Sequence, residues 1–144
     1  MKWTPLAVVV SIVAAVAISA PAGAGINPVP QTYAPRDCTT PKIEPKSITL
    51  TCADAGAVLK HLTWKNWFEP EVKGEGDLYL KDCDPSCVEG GTDRYRVKVK
   101  LYDLQTVKCV GQTLDMYQKA KLRYLGDAPP NANRLRKFDV ECVS

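Results

Sequence analysis

The chain has 144 residues, six cysteines, one histidine and a formal net charge of +3 at pH 7. That length allows a leader and one ordinary domain that buries a core of its own. The charge is too small to indicate a nucleic-acid-binding protein.

Residues 1–24 have the features of a secretory signal peptide. Lys2 supplies a basic start, residues 6–18 are almost entirely apolar, and Ala22-Gly23-Ala24 has the small residues after which signal peptidases cut. The apolar run is shorter than the roughly 20 residues of a membrane span. We therefore expect a secreted chain that begins at Gly25, with a net charge of about +2 because only Lys2 is lost. An uncleaved N-terminal anchor is the alternative.

The segment at residues 25–45 is rich in proline, with five prolines in its length. Proline at that density favours extended chain with few hydrogen bonds. The sequence therefore predicts an N-terminal tether over residues 25–45, followed by a folded domain over residues 46–144.

Alternating apolar and polar residues predict the first strands of that domain. One strand covers residues 46–52, a second ends at Trp67, and a short third covers residues 77–81. Residues 53–63 fit a helical turn capped by Asp54 or a strand. We favour a turn at residues 53–56, with or without one helical turn, followed by the strand that ends at Trp67.

Two later segments alternate cationic and apolar residues with the period of a strand. The cationic faces are Arg94, Arg96, Lys98 and Lys100 in residues 94–102, and Lys119, Lys121 and Arg123 in residues 119–125. A last strand is predicted over residues 137–142. This pattern predicts an all-β fold, a disulfide-stapled antiparallel β-sandwich of about five to seven strands.

All six cysteines follow the predicted cleavage point, and an even count in an exported chain predicts three disulfides. Laying the strands antiparallel favours the pairs Cys38–Cys52, Cys83–Cys87 and Cys109–Cys142. A second set, Cys52–Cys83 with Cys38–Cys87, satisfies the same layout nearly as well.

Several short motifs resemble a family of small secreted actinobacterial proteins of mycobacterial or streptomycete type. They are Leu-Thr-Cys-Ala-Asp at residues 50–54, Trp-x-x-Trp at residues 64–67, Gly-x-Gly at residues 74–76 and Cys-x-Pro-x-Cys at residues 83–87. The resemblance implies a bacterial origin, export and disulfides. It implies no activity, because that family has none assigned.

The stretch "KDCDPSCVEGG" at residues 81–91 has acids spaced as in a calcium loop. Cys87 stands where such a loop needs glycine, and no helical pattern flanks it. Zinc is disfavoured by the single histidine and an oxidising exterior, and three residues between the cysteines do not make a redox pair. We interpret the stretch as a disulfide-pinned turn and predict no metal and no cofactor.

Catalytic groups are sparse. His61 is the one histidine and is expected to be a surface or boundary residue. The mature chain keeps three serines without a nucleophile elbow. A glycosidase would need two acids facing one cleft, and the sequence does not place Asp54 near Asp82 or Glu75. We therefore predict a protein that is not an enzyme.

Two kinds of binding surface are available. Trp64 and Trp67 are three residues apart, so a strand would point one of them outward, and Trp67 is the candidate for stacking on a sugar; packing with Phe68 is the alternative. The cationic faces are candidates for binding a polyanion if the two strands are neighbours without acids between them. Otherwise they are solvated sheet surface.

These observations favour a secreted, extracellular or cell-envelope binding module. Its partner is an anionic envelope polymer or an extracellular protein, with no nucleic acid and no membrane span after cleavage. The alternative is a secreted inhibitor of a foreign enzyme that uses residues 82–91 as a rigid plug. A small hydrolase is the third hypothesis.

Overall fold

The computed structural model describes residues 30–143, and the expected signal peptide and cleavage site lie outside that range. These residues form strands joined by turns, with one 3₁₀ turn at Arg134–Arg136 and no α-helix between residues 30 and 143. The strands are β1 (Thr32–Pro35), β2 (Pro41–Lys42), β3 (Ile48–Thr49), β4 (Ala57–Lys65), β5 (Val72–Lys81), β6 (Thr92–Cys109), β7 (Gln112–Tyr124) and β8 (Lys137–Asp139). The predicted all-β class is confirmed.

The strands form one curled sheet in the order β2-β1-β7-β6-β5-β4-β3, with β8 also paired to β7. Strands β3 to β7 pair antiparallel with their neighbours, whereas β1 runs parallel to β7. The two ends of the sheet meet, since the Thr49 amide in β3 donates to the Arg36 carbonyl beside β1 at 3.0 Å. One mixed sheet therefore encloses a core that the sequence had assigned to a sandwich.

The core lies on the inner face, where alternate side chains of each strand converge. Strand β6 contributes Val97, Val99 and Leu101, and β7 contributes Tyr117 and Leu122, all at most 2% exposed. Val97 and Val99 on β6 and Leu122 on β7 have cationic neighbours in sequence that point outward. Two-residue periodicity thus places an apolar layer inside and a charged layer outside.

The predicted tether is wrong for residues 30–45, which form β1 and β2 and belong to the sheet. Two indole N–H groups hold this segment: Trp67 donates to the Thr32 carbonyl at 3.0 Å and Trp64 to the Pro45 carbonyl at 2.8 Å. Pro41 is tolerated because it begins the edge strand β2. An edge strand pairs on one side only, so the backbone N–H that proline lacks is not needed on the other side.

The other strands differ in length from those predicted. Strand β3 keeps two residues of the predicted 46–52 strand, whereas β5 and β6 extend well beyond the predicted 77–81 and 94–102. Residues 52–54 form a turn in which the Asp54 carboxylate accepts the Gly56 amide at 2.9 Å, and β4 starts at Ala57. The ambiguous segment is therefore a turn followed by a strand.

Three disulfides join Cys38 to Cys52, Cys83 to Cys87, and Cys109 to Cys142, which confirms the favoured set. The first links the chain after β1 to the chain after β3, so it fastens the two ends of the curled sheet. No helix in residues 30–143 has the length and hydropathy needed to cross a bilayer.

Candidate functional site

The two cationic strands predicted from the sequence are neighbours. Strands β6 and β7 pair so that Lys98 lies opposite Arg123 and Lys100 lies opposite Lys121. All four side chains point to the outer face, and no acidic residue lies between them in either pair. The sequence made a binding surface conditional on neighbouring strands without acids. The strands are neighbours, whereas Glu75 and Glu71 lie beside Lys98 and Lys100.

The register extends this pairing into a row of lysines across five strands. Lys65 of β4 lies opposite Lys73 of β5, which lies opposite Lys100. Lys100 lies opposite Lys121 of β7, which lies opposite Lys137 of β8. We call Lys65, Lys73, Lys100, Lys121 and Lys137 the lysine row. Neighbouring strands are about 4.8 Å apart, so the row is roughly 19 Å long.

An open groove with a volume of about 550 Å³ lies over most of this row. Six of its lining side chains are cationic, and they are Lys65, Lys73, Lys98, Lys100, Lys121 and Arg123. Glu75 is the one carboxylate in the lining. Gly74, Val99 and Leu122 complete the lining, and the side chains of Val99 and Leu122 are buried in the core.

The cations of the outer face differ in whether a carboxylate compensates them. Lys98 lies 3.3 Å from Glu75, and Lys100 lies 2.9 Å from Glu71. Within residues 30–143, no carboxylate lies within 4.0 Å of Lys65, Lys73, Lys121 or Lys137. Most of the lysine row is therefore uncompensated by the part of the chain that is described.

The remaining predicted cations lie outside the groove. Arg94 and Arg96 extend along β6 beyond it and lie 2.9 Å from Asp77 and 3.9 Å from Glu75. Lys119 lies 3.5 Å from Asp103. Sequence reasoning missed Lys65, Lys73 and Lys137 as site residues, because none of them belongs to an alternating cationic run and only the register brings them into the row.

Trp67 is a core residue and not an exposed stacking platform. The chain turns at Asn66, whose φ is +53°, so Trp67 returns to the same side of the sheet as Trp64. The two rings are 5.1 Å apart, and Tyr117 lies 5.4 Å from Trp67. The expected opposition of the two tryptophans is wrong, as is a Trp67–Phe68 cluster, since Trp67 is 6% exposed and packs into the main core.

A second polar cluster lies on the outer face beside the groove. His61 sits in a β-bulge of β4 with φ +54°, and its Nδ1 lies 2.9 Å from the Asp77 carboxylate. Arg94 donates to the same carboxylate oxygen at 2.9 Å. Burial raises the pKa of Asp77, but the hydrogen bonds from Arg94 and His61 outweigh it and hold the pKa below 3.8.

Because an ionised carboxylate only accepts hydrogen bonds, Nδ1 of His61 is the donor in this contact. In the described range, no three His, Cys, Asp or Glu residues are grouped closely enough to hold a metal ion. The exposed surface position of His61 agrees with the sequence, whereas its buried partner Asp77 was not anticipated.

The loop between β5 and β6 is the predicted disulfide-pinned turn. The Asp82 amide donates to the Gly91 carbonyl at 3.0 Å and closes its base. Inside the loop, Ser86 donates to the Glu89 carboxylate at 2.9 Å, and Val88 at the tip is 94% exposed. The loop is thus braced by a disulfide and hydrogen bonds, and it exposes an apolar side chain.

No family model, curated protein or solved structure matches the chain. The resemblance to small secreted actinobacterial proteins therefore stays a prediction.

Proposed function

We propose that this protein is a non-enzymatic binding module that acts outside the cell and holds anionic polymers in the groove of its outer face. The lysine row carries this proposal, because five lysines lie in direct register on five adjacent strands. Like charges directly opposite one another destabilise a sheet. A bound polyanion would neutralise that repulsion.

The same strands show that the repulsion is avoidable. Two residues along β5 from Lys73, Glu75 lies opposite Lys98, and a further two residues along, Asp77 lies opposite Arg96. Cross-strand acids thus accompany the cations elsewhere on this face. No acid lies in register with the lysine row, and among residues 30–143 only Glu71 lies within 4.0 Å of one of its members, Lys100. This scarcity of acids supports a role for the row that needs net positive charge.

Export is part of the proposal and has two supports. Residues 1–24 have the pattern of a signal peptide. All six cysteines are paired in disulfides, which persist in oxidising compartments and are rare in reducing ones. The polymers available to such a protein are the anionic polymers of cell envelopes and extracellular matrices.

A direct test measures binding of the mature protein to dextran sulfate, with uncharged dextran as the matched control polymer. We expect binding to dextran sulfate alone, and a steep loss of affinity with added salt because the Debye length falls from about 10 Å at 0.1 M to about 3 Å at 1 M. Lys73→Gln with Lys121→Gln should weaken binding at least about tenfold.

The control variant is Lys42→Gln with Lys108→Gln, which removes the same charge from exposed positions outside the groove lining. It should bind nearly as well as the unmodified protein. Equal losses in both variants, or binding that is indifferent to salt, would contradict the assignment to the groove.

The braced loop favours a second candidate function, inhibition of a foreign enzyme. A loop that is already braced by a disulfide and exposes Val88 would lose less conformational entropy on entering a cleft than an unbraced loop. The test is a search for stoichiometric inhibition among extracellular hydrolases, with Val88→Asp as the variant that should abolish it. Inhibition that survives this substitution would contradict a role for the loop tip.

A further inference from the structure

A linear polymer has two possible paths over the cationic face. One follows β6 and meets Arg94, Arg96, Lys98 and Lys100 in turn, which is the path the sequence suggests. The other crosses the strands along the lysine row. The two paths share Lys100 and are nearly perpendicular, so they place the polymer differently and depend on different side chains.

The path along β6 is already occupied by the protein's own acids. Arg94 lies 2.9 Å from Asp77, and Lys98 and Arg96 lie 3.3 Å and 3.9 Å from Glu75. A polyanion on this path would compete with those carboxylates at every step. The exchange of one anion for another contributes little net attraction.

The path across the strands presents cations without such competition. Within the described residues, only Lys100 of the lysine row has a carboxylate within 4.0 Å, which is Glu71 at 2.9 Å. The groove follows this direction as well, since its lining runs from Lys65 on β4 to Lys121 and Arg123 on β7. Charge and shape therefore favour the same path.

The row also indicates how the polymer is recognised. Lysine ammonium groups are flexible point charges without the planar fork by which arginine fits one carboxylate or phosphate. Five lysines over roughly 19 Å therefore respond to how many anionic groups the polymer presents in that length, and less to their chemical identity.

We propose that the ligand is a flexible linear polyanion of high charge density that lies across the strands along the lysine row, and that length and charge density select it. This inference rests on the proposed function of the groove. Sulfated, phosphorylated and carboxylated polymers of equal charge spacing should then bind with similar affinity, whereas a single anion or a short oligomer should bind weakly.

The test uses inorganic polyphosphate of defined chain lengths, with orthophosphate as the monomer and with sulfated and carboxylated chains of matched charge spacing as further arms. Affinity should rise steeply with chain length until the chain spans about 19 Å, and only gradually beyond it. For five contacts, the slope of log affinity against log salt should be about −3.5, by analogy with single-stranded polyelectrolytes.

Two variants separate the paths, and each lowers the net charge by one unit. Lys121→Gln removes one member of the lysine row and should reduce the magnitude of the slope by about one. Arg96→Gln removes one cation of the β6 path from a position outside the groove lining. It should leave the slope unchanged.

The opposite result, a slope reduced by Arg96→Gln and not by Lys121→Gln, would overturn the crossing path while leaving the proposed function intact. Strong preference for one anionic group at matched charge spacing would overturn selection by charge density. If no polyanion of any length binds, the proposed function itself fails.

Discussion

Asp77 is a carboxylate on the outer face of the sheet that is nevertheless only 3% exposed. Arg94 and His61 cover it and both contact one of its oxygens, while no partner in the described residues contacts the other oxygen. The buried charge is thus held by two donors that themselves remain exposed. It fixes the bulge of β4 and the orientation of the one histidine in the chain.

We expect Asp77→Asn to destabilise the fold by about 1–3 kcal/mol at pH 7, because it removes charge-assisted hydrogen bonds to a buried group. The pKa of Asp77 is lowered on folding, so its contribution is complete above about pH 4 and is lost as the pH falls through the folded-state pKa. Urea unfolding from pH 7 to pH 2 measures this.

The difference between the unmodified protein and Asp77→Asn should shrink as the solution is acidified. Asp127→Asn at an exposed position is the control and should change stability little at any pH. A pH-independent difference would show that shape, and not charge, makes the contribution of Asp77.

At the residue scale, the sequence predicted that His61 is exposed but not that it has a partner. His61 and Asp77 are sixteen positions apart, and they meet because one extra residue is inserted into β4. Alternation along a strand assumes an unbroken register, so a bulge changes which side chains share a face without leaving a clear mark in the sequence.

At the scale of the element, the Gly-x-Gly of β5 allows β4 to pack closely against it. A Cβ at Gly74 would lie 2.6 Å from the Thr63 carbonyl oxygen and 2.6 Å from the Trp64 ring. A Cβ at Gly76 would meet the Lys60 carbonyl at 2.7 Å. The absent side chain at Gly74 makes room for the indole of Trp64, and the absent side chain at Gly76 makes room for Leu62.

Gly74→Ala should therefore destabilise the domain by about 1–3 kcal/mol through overpacking, with backbone atoms that cannot move aside easily. Gly91→Ala is the matched control, since nothing lies within 4 Å of a Cβ there. Its effect should stay within about 0.5 kcal/mol. Thermal unfolding of both variants makes the comparison, and equal melting temperatures would contradict the steric account.

Strand prediction succeeded where polar and apolar residues alternate over many positions. It failed where hydrogen bonds from distant residues hold a segment in the sheet. Strands β6 and β7 were recognised because their apolar and cationic residues alternate over many positions. Strands β1 and β2 were missed because proline was weighed as a breaker, whereas Trp64 and Trp67 hold this segment by hydrogen bonds from far along the chain.

At the scale of the whole molecule, the three disulfides close chain segments of very different length. The sequence separations are 33 for Cys109–Cys142, 14 for Cys38–Cys52 and 4 for Cys83–Cys87. Chain-entropy estimates give stabilisations of about 4, 3 and 2 kcal/mol in that order. The first two secure the sheet, and the third braces only the loop.

Removing each pair in turn by Cys→Ala substitution should reproduce that order in the free energy of unfolding from urea titration. Cys109 is fully buried, so its replacement also loses packing and adds to the largest effect. If loss of Cys83–Cys87 costs as much as loss of Cys109–Cys142, the loop is part of the cooperative fold and not an appendage.

The sequence predicted the fold class and the cationic strands β6 and β7, because these depend on the alternation of residues along each strand. It predicted the disulfides because the cysteines are even in number and the strand layout limits their pairing. It did not predict the lysine row, because the row depends on four registers between strands that are distant in the chain. Within the lysine row, the sequence therefore identified Lys100 and Lys121 but not Lys65, Lys73 or Lys137.

The lysine row also affects the stability of the protein when no polymer is bound. Neighbouring lysines about 4.8 Å apart lie within the Debye length of about 10 Å at 0.1 M salt, so they repel one another, and at 1 M this repulsion is largely screened. Added salt should thus strengthen the fold while it weakens polymer binding. Replacing a lysine of the row should likewise raise the free energy of unfolding and lower the affinity for the polymer. Stability and affinity are thus opposed at the same five positions.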